Sequence, residues 1–298
     1  MPTLADDRLA RAHLSLDGLS TGDAFGQCFF SHEQFVTPER IARDDIPPRP
    51  WVCTDDTEMA KAIIEVLARH GRIEQDELAK VFAERYMAAP HRGYGGGAKA
   101  LLTAIYAGRP WREAASALFQ GGSMGNGAAM RIAPLGAYFA DDVPLMIEEA
   151  RRSAAVTHAH PEGINGAIAV AAAAAFAANH AGQHTPLVVG EFMEFVLAHT
   201  PAGQTRDGIR QAMDMPRTRH VREAVGVLGN GSRTMCPDTV PFCIWMAARH
   251  FDDYRVAVWT TAACGGDIDT TCAIVGGIVA LSSGSPVPAT WLEARGRI

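Results

Sequence analysis

Apolar residues recur at spacings of three and four along most of the chain, and this periodicity is the feature that most constrains the fold. One example starts after Thr54, has apolar side chains at positions 59, 63, 66 and 67, and is closed by Gly71. The same spacing predicts helices at 75–86, 98–106, 111–119, 128–139, 143–155, 163–179, 188–197, 204–213, 220–228, 240–249, 253–263 and 270–281. Alternating strand patterns are not convincing, although the short piece 186–189 is compatible with a strand. The sequence therefore predicts one compact all-α domain spanning residues 1–298.

Composition fits a folded domain and disfavours several classes of protein. Hydrophobic residues make up 48% of the chain and charged residues 20%, which allows a large core. The net charge is −6 and no run of Lys or Arg stands out, so nucleic-acid binding is not expected. Neither a signal-peptide pattern nor an apolar run long enough to cross a membrane is evident, and the alanine-rich stretch 167–182 is interpreted as a buried helix.

The six cysteines are scattered and form no C-x-x-C pair, which disfavours a zinc ribbon. Together with the missing signal peptide, this indicates free thiols and a cytoplasmic location.

Two short acidic motifs precede helical patterns: Thr-Asp-Asp-Thr at 54–57 and Asp-Ile-Asp-Thr at 267–270. One interpretation is helix capping, because Thr and Asp are good N-caps and Asp269 or Thr270 could cap the last long helix. A second interpretation is a metal site, because a cap needs one acceptor whereas each motif carries two mutually repelling acids. All the candidate ligand atoms are oxygens, which suits Mg²⁺, Mn²⁺ or Ca²⁺ better than Zn²⁺. If the two helix starts meet, four carboxylates could balance two divalent cations.

Two glycine-rich segments could approach a ligand with their backbone. Gly-Gly-Ser-Met-Gly-Asn-Gly at 121–127 runs into the predicted helix 128–139, an arrangement that can hold a phosphate. An ordinary turn is the alternative, since glycine clusters mark turns in general. Gly-Tyr-Gly-Gly-Gly at 93–97 adds Tyr94, which could stack on a base or a ribose. Neither segment is a Walker A loop.

The segment Thr157-His158-Ala159-His160 offers two imidazoles. If it is helical, side chains two positions apart point in different directions, so at most one histidine is expected to face a site. Histidine is common both in structural positions and in proton transfer, and both interpretations stay open here.

Taken in order, these motifs resemble the ADP-ribosylglycohydrolase family. The resemblance covers nearly the whole chain and is specific because several motifs follow one another in the family's order. The matching segments are Gly-Asp-Ala-Phe-Gly at 22–26, Trp51 with Thr-Asp-Asp-Thr at 54–57, Gly-Asn-Gly-Ala-Ala-Met-Arg at 125–131, Thr-His at 157–158, Thr-Val-Pro at 239–241 and Gly-Gly-Asp-Ile-Asp-Thr at 265–270.

The resemblance implies a compact all-helical domain with a centre of two Mg²⁺ or Mn²⁺ ions. The implied metal ligands are Thr54, Asp55, Asp56, Asp267, Asp269 and Thr270. The candidate substrate-binding residues are Tyr94, Gly95, Ser123, Gly125, Asn126, Gly127 and His158. Within that set, the resemblance assigns the 123–127 segment to the diphosphate and proximal ribose of ADP-ribose, and places His158 beside the substrate. For Asp23 we favour a structural role, in which it holds its loop by hydrogen bonds.

The implied activity is metal-dependent hydrolysis of the bond between ADP-ribose and a modified protein side chain. Such cleavage passes through an oxocarbenium-like transition state. Asp55, Asp56 and Asp269 are the candidate catalytic carboxylates, with Asp55 or Asp56 taking the proton of the attacking water. Two other activities stay open: hydrolysis of a small derivative such as O-acetyl-ADP-ribose, and non-catalytic binding of ADP-ribose or a toxin.

One position departs from the family pattern. Many members, including those that act on serine-linked ADP-ribose, carry a glutamate four residues after the last glycine of the first motif. Phe30 stands there in this chain, and Glu33 follows three residues later. Because a guanidine leaving group needs a positioned acid less than a serine oxygen does, we expect arginine-linked ADP-ribose to be the preferred substrate.

Overall fold

The computed structural model describes residues 3–30, 36–183, 185–216, 218–282 and 287–298. Within these ranges all elements of regular secondary structure are helices joined by turns and loops, and the one β contact is an isolated bridge between Gly125 and Met235. The α-helices are α1 (Leu4–Gln27), α2 (Pro38–Arg43), α3 (Asp55–His70), α4 (Gln75–Ala88), α5 (Gly96–Tyr106), α6 (Trp111–Ala117), α7 (Ala133–Tyr138), α8 (Val143–Ala155), α9 (Pro161–Asn179), α10 (Pro186–His199), α11 (Gln204–Asp214), α12 (Val221–Leu228), α13 (Cys236–Arg249), α14 (Tyr254–Ala262), α15 (Ile268–Ser282) and α16 (Ala289–Arg295). The prediction of an all-α fold is confirmed.

The sequence missed the longest helix, α1. Its second half is buried on every side, and polar side chains such as Ser15, Thr21 and Asp23 are enclosed together with Leu19 and Phe25. A helix buried all round has no polar face, so the three-and-four spacing that reveals surface helices is weak there. The short helices α2 and α16 were missed as well.

Two predicted helices are wrong in their extent, and a stretch that was also compatible with a strand is helical. Residues 186–189 begin α10 and form no strand, because Thr185 caps the helix and Pro186 occupies its first position, where no backbone N–H is required. The predicted helix 128–139 is split: a 3₁₀ turn covers Asn126–Ala128, and α7 begins only at Ala133. The predicted helix 111–119 ends at Ala117, because Phe119 takes up left-handed backbone angles (φ 54°, ψ 29°).

The alanine-rich helix α9 forms the centre of the molecule. It packs against α7, α8, α10, α13 and α15, and its alanines let these neighbours approach closely. By length and composition α9 could cross a membrane, but 83% of its apolar window is buried inside the protein. The helix therefore serves as a core element, as the sequence predicts.

The helices α1 and α15 touch backbone to backbone along a stripe of glycines. A Cβ atom placed on Gly18 would lie 2.3 Å from the carbonyl oxygen of Gly276, and one placed on Gly22 would lie 2.2 Å from that of Cys272. At Gly26 the distance to the carbonyl oxygen of Ile268 would be 2.6 Å. These three positions are four residues apart and share one face of α1. The stripe brings α1 against the beginning of α15.

An aromatic cluster supports the same region from behind. The ring of Phe25 stacks on that of Trp291 at a centroid distance of 4.5 Å, and the rings of Trp51 and Trp259 pack edge-on against Phe25. The backbone N–H of Trp51 donates to the carbonyl oxygen of Ala294 at 2.8 Å. This cluster fixes the stretch that leads into α3. All six cysteines are free, which agrees with the predicted thiols.

Candidate metal and substrate site

A cavity of about 360 Å³ lies where the N-termini of α3, α5 and α15 meet the 121–127 segment. Two walls can be distinguished. The acid wall consists of Asp55, Asp56, Asp267 and Asp269, which line the cavity, and of Asp23, which lies beside Asp56 and Asp269 without lining it. The loop wall is formed by the segments 93–97 and 118–127 and by His158. Every predicted ligand and substrate residue lines the cavity except Thr54 and Tyr94.

Asp23 organises the acid wall. One of its carboxylate oxygens accepts hydrogen bonds from the backbone N–H of Thr54 at 2.9 Å and from both the N–H and the hydroxyl of Thr57. The other oxygen accepts from the hydroxyl of Thr54 at 2.8 Å. These bonds tie α1 to the beginning of α3. The structural role of Asp23 agrees with the prediction, but the residue belongs to a helix and not to a loop.

Asp23 is also part of the acid cluster itself. Carboxylate oxygens of Asp23, Asp56 and Asp269 all lie within 4.8 Å of one another. In Asp56, atom Oδ1 is buried and has no hydrogen-bond partner among the described residues. A buried carboxylate oxygen without a partner is costly unless a cation or water satisfies it.

The raised pKa values of the acid wall also indicate that its carboxylates need a cation. Burial raises the pKa of Asp55 to about 7, and the charge of Asp23 adds to the effect. The pKa of Asp23 is raised to about 6 by burial, although hydrogen bonds from Thr57 and Thr54 oppose the shift. Asp56 and Asp269 also have raised pKa values, first because they are buried and then because neighbouring carboxylates repel them. The cluster is therefore poorly stabilised as a set of free anions.

These residues fit a hard divalent cation. The donors are carboxylate and hydroxyl oxygens from three helices, with no sulfur or imidazole within the acid wall, and such sets favour Mg²⁺ or Mn²⁺. Thr54 stands behind the wall, where its hydroxyl lies 3.1 Å from Asp56 Oδ2. Thr270 is in the wall, and its backbone N–H donates to Asp269 Oδ1 at 2.8 Å.

The helix-capping interpretation is confirmed for the motif at 54–57, whereas the residues suggested as caps in the motif at 267–270 are wrong. Thr54 is the N-cap of α3 and accepts a hydrogen bond from the N–H of Asp56. Helix α15 already begins at Ile268, so Asp269 and Thr270 lie in its first turn and do not cap it. Capping and a role in the site coexist, because a helix start collects acids and exposes N–H groups.

The glycine segment of the loop wall faces the acids without a helix behind it. The backbone N–H of Gly125 donates to the hydroxyl of Ser123 at 3.1 Å. The side-chain amide of Asn126 donates to Asp267 Oδ2 at 2.7 Å and to the hydroxyl of Thr239 at 3.1 Å. Asn126 thus links the two walls. The predicted dipole contribution from helix 128–139 is absent at this segment, since α7 begins only at Ala133.

The other glycine segment does start a helix. Gly95 is the N-cap of α5 and has no side chain to satisfy the N–H groups of the first turn, which face the cavity. Tyr94 does not fit its predicted role of stacking on a base or a ribose. It is 2% exposed, and its ring packs edge-on against that of Tyr86 at 5.0 Å, so no face is open to a ligand.

The two histidines of the 157–160 segment have different tasks, as expected, although the segment is a loop and not a helix. His158 lines the cavity, whereas His160 is the N-cap of α9 and accepts a hydrogen bond from the N–H of Glu162 at 3.1 Å.

A family model described as ADP-ribosylglycohydrolase matches residues 4–297. The chain belongs to the ADP-ribosylglycohydrolase family. Among curated relatives, ADP-ribosylhydrolase ARH3 of Homo sapiens is 27% identical over 327 residues, covering 96% of this chain and 89% of that protein. The protein of the same name from Bos taurus is 29% identical over 333 residues, covering 96% and 88%.

A solved structure agrees on the fold of the family. A chain described as an ADP-ribosylglycohydrolase-related protein complex aligns with a TM-score of 0.60 and 23% identity. The alignment covers 97% of this chain and 93% of the other. The family supports glycohydrolase activity on an ADP-ribose linkage and supports ADP-ribosylated substrates.

Several residues of the site are not predicted as such from the sequence. Phe119 lies at the cavity mouth and is 70% exposed, Arg131 lines the cavity although it is fully buried, and Thr234 takes up a positive φ of 53° in the wall. An exposed aromatic residue beside a glycine run was the available signal for Phe119. No local pattern reveals Arg131, because its position depends on tertiary packing.

Phe30, on which the expected substrate preference depends, is not among the residues that line the cavity. Phe30 ends the 3₁₀ turn that follows α1, is 47% exposed and does not line the cavity. Glu33 lies outside the described residues.

Proposed function

We propose that the protein hydrolyses the bond between the anomeric carbon of ADP-ribose and its acceptor, with the help of two Mg²⁺ or Mn²⁺ ions. The observation that carries the proposal is the meeting of α1, α3 and α15 in one acid wall, opposite glycine segments suited to a diphosphate. Membership of the family supports the same reaction class. Intact acids on all three helices argue against a purely non-catalytic binder.

The metal ions would be held by Asp55, Asp56, Asp267, Asp269 and Thr270, with Thr54 behind them. Bound ions supply positive charge at the ribose hydroxyls and acidify water. The carboxylates of the wall keep that charge in place and stabilise the oxocarbenium-like transition state.

Asp55 is the better of the two candidate bases on α3. It is 8% exposed and faces the cavity, whereas Asp56 is 1% exposed and lies deeper. A general base must reach the proton that it removes. Asp55 is therefore assigned the role of base in addition to holding metal, and Asp56 is assigned to metal ligation. Asp269 lines the same cavity and would contribute negative charge that stabilises the oxocarbenium-like transition state.

The proposed reaction does not by itself identify the group to which ADP-ribose is attached. The expected preference for arginine is not supported by the comparisons, and Phe30, on which it depended, does not line the cavity. Arginine-linked and serine-linked ADP-ribose and O-acetyl-ADP-ribose are therefore compared as substrates on equal terms. The cytoplasmic location predicted from the sequence stays a prediction.

The test is release of ADP-ribose from all three compounds, with Mg²⁺ and with excess chelator. We expect hydrolysis of at least one compound with Mg²⁺, and a loss of at least about 10²-fold in chelator and in Asp267→Asn, because the charge that stabilises the transition state is lost. Asp207→Asn is the matched control, since the ion pair of that exposed carboxylate on α11, within the described part of the chain, is with Arg210. Unchanged rates in chelator and in Asp267→Asn, or no release from any compound, would refute the proposal.

A further inference from the structure

Arg131 is a fully buried cation that makes no direct ion pair among the described residues, and the buried Asp55 stabilises its charge only through space. Its side chain is 0% exposed, and its guanidinium carbon lies 4.4 Å from the centre of the Phe82 ring. Within the described ranges no carboxylate lies within ion-pair distance of it, and its Nε has no hydrogen-bond partner. Because a buried charge without a direct ion pair destabilises a fold, a position of this kind calls for a function.

The contacts of Arg131 lead to the cavity through one hydroxyl group. Its Nη2 donates to Thr157 Oγ1 at 2.8 Å and to the carbonyl oxygen of Ser153 at 3.3 Å. The same Thr157 oxygen lies 2.7 Å from His158 Nδ1. In the part of the chain that the structure describes, these are the two side-chain partners of the Thr157 hydroxyl.

The direction of this chain of hydrogen bonds follows from the donors. A guanidinium can only donate, so the Thr157 oxygen accepts from Arg131. The single hydroxyl hydrogen of Thr157 is then left for His158 Nδ1, which must accept it. Were Nδ1 to carry a hydrogen instead, the buried hydroxyl would have no acceptor for its own.

His158 is therefore held with its proton on Nε2. Burial, followed by the nearby charge of Arg131, lowers its pKa well below the usual value, so the ring stays neutral. The Nε2 edge lies over the glycine segment: a Cβ atom placed on Gly127 would be 3.1 Å from Nε2, and one placed on Gly125 would be 3.4 Å away. A neutral ring with Nδ1 engaged and Nε2 protonated can donate but cannot act as a base.

We infer that Arg131 and Thr157 are positioning residues that fix one tautomer of His158, so that its Nε2–H is a permanent donor to a phosphate oxygen of the ligand. The naming of the ligand rests on the proposed function, whereas the tautomer does not. An N–H donor backed by a buried cation and flanked by glycine N–H groups suits an anion.

The tautomer can be measured directly in the ligand-free protein. Two-bond ¹H–¹⁵N correlation spectra of ¹⁵N-histidine-labelled protein distinguish the two ring nitrogens, and His158→Gln identifies the signal among the 11 histidines. We expect Nδ1 to be unprotonated in the wild type and in Thr157→Ser, which keeps the hydroxyl. In Thr157→Val and in Arg131→Met we expect the Nδ1–H tautomer to become populated.

Binding and kinetics test the consequence for the ligand. We expect Thr157→Val to weaken ADP-ribose binding by about tenfold and to raise KM by a similar factor, with kcat within about twofold, because a hydrogen bond to an anion contributes to binding in both the ground state and the transition state. Thr157→Ser is expected to restore both values. A variant that merely loses stability would lower the active fraction without changing the tautomer or Kd.

Several results would overturn the inference. A wild-type spectrum with Nδ1 protonated, or with a charged ring, would refute the assignment of the tautomer. An unchanged tautomer in both Thr157→Val and Arg131→Met would show that neither residue positions the ring. If the wild type binds no ADP-ribose, the proposed function fails and the phosphate contact fails with it, while the spectra still decide the tautomer.

Discussion

The acid wall is held by helices that touch backbone to backbone, whereas the loop wall is held by a few hydrogen bonds between turns. Asp23 receives hydrogen bonds from both Thr54 and Thr57 and sits beside the glycine stripe of α1. On the other side, Phe119 and Gln120 have positive φ values, and a Cβ added to Gly95 or Gly96 would meet no described residue within 4 Å apart from its chain neighbours and its own helix. A centre that holds cations needs rigid anions, whereas a wall that admits a ligand needs space and accessible N–H groups.

The largest expected effect comes from breaking the contact between α1 and α15. In Gly22→Ala the new methyl group would lie 2.2 Å from a backbone oxygen, so the helices must separate. We expect a loss of about 1–3 kcal/mol or more in the free energy of unfolding, together with weaker Mg²⁺ binding. Denaturant unfolding and calorimetric Mg²⁺ titration measure both quantities.

Gly226→Ala on α12 is the matched control, because nothing lies within 4 Å of its added Cβ. Its stability is expected to be unchanged or up to about 1 kcal/mol higher, since alanine favours a helix over glycine. Equal effects of the two substitutions would show that close packing of α1 on α15 does not govern the acid wall.

An effect of intermediate size on stability is expected when a change of pH alters the protonation of the acid wall. Asp23 and Asp55 have folded pKa values of about 6 and about 7, above the ordinary value of 3.8, so their neutral forms are favoured in the folded metal-free protein. Their contribution to stability is complete below pH 3.8 and is lost as the pH rises through 6 and 7. Cations require the ionised forms, so stabilisation by Mg²⁺ must grow over the same interval.

Thermal melting at pH 5.5 and 8.0, with Mg²⁺ and with chelator, measures this linkage. We expect the gain in Tm from Mg²⁺ to be about 5 °C or more larger at the higher pH. Asp55→Asn should reduce that difference, because one of the titrating carboxylates is gone. A gain from Mg²⁺ that is independent of pH would contradict the raised pKa values.

The smallest expected effect tests the loop wall. Phe119→Gly removes an exposed ring and places glycine where the backbone is left-handed, so Tm should stay the same or rise. Binding of ADP-ribose should weaken by about tenfold if the ring offers a stacking face to the adenine base. Mg²⁺ affinity should not change, because Phe119 does not belong to the acid wall.

Phe119→Trp, which keeps an aromatic face, is the control and should bind nearly as the wild type does. A fall in Mg²⁺ affinity in Phe119→Gly would mean that the two walls are coupled more strongly than their separate construction indicates.

The sequence predicted the acid wall better than the loop wall, for a physical reason. Helix starts collect acids and caps within a few residues, so the motifs at 54–57 and 267–270 are visible locally, and both contribute to the cavity. Asp23 was recognised only as a structural residue, because its helix lacks an amphipathic stripe. The backbone of the loop wall depends on turns, and so the helix predicted at 128–139 was wrong.

Tertiary contacts account for what the sequence could not show. Tyr94 was expected at the ligand, but its ring is used in packing against Tyr86. Arg131 belongs to a matching motif, yet the direction of its hydrogen bonds toward His158 depends on where α8 ends. Such directions are set by packing between elements and have no periodic signature.

The glycine stripe also has a consequence for the order in which the protein assembles. The hydroxyl of Ser15 on α1 donates to the carbonyl oxygen of Gly277 on α15, across a sequence separation of 262 residues. Contacts of such high order close very large loops, and they form late because the entropy of that closure is lost before the contact is gained. A ribosome must have released almost the entire polypeptide before Asp23 can meet Asp269. A fragment that lacks α15 can contain many of the helices and still have no complete acid wall.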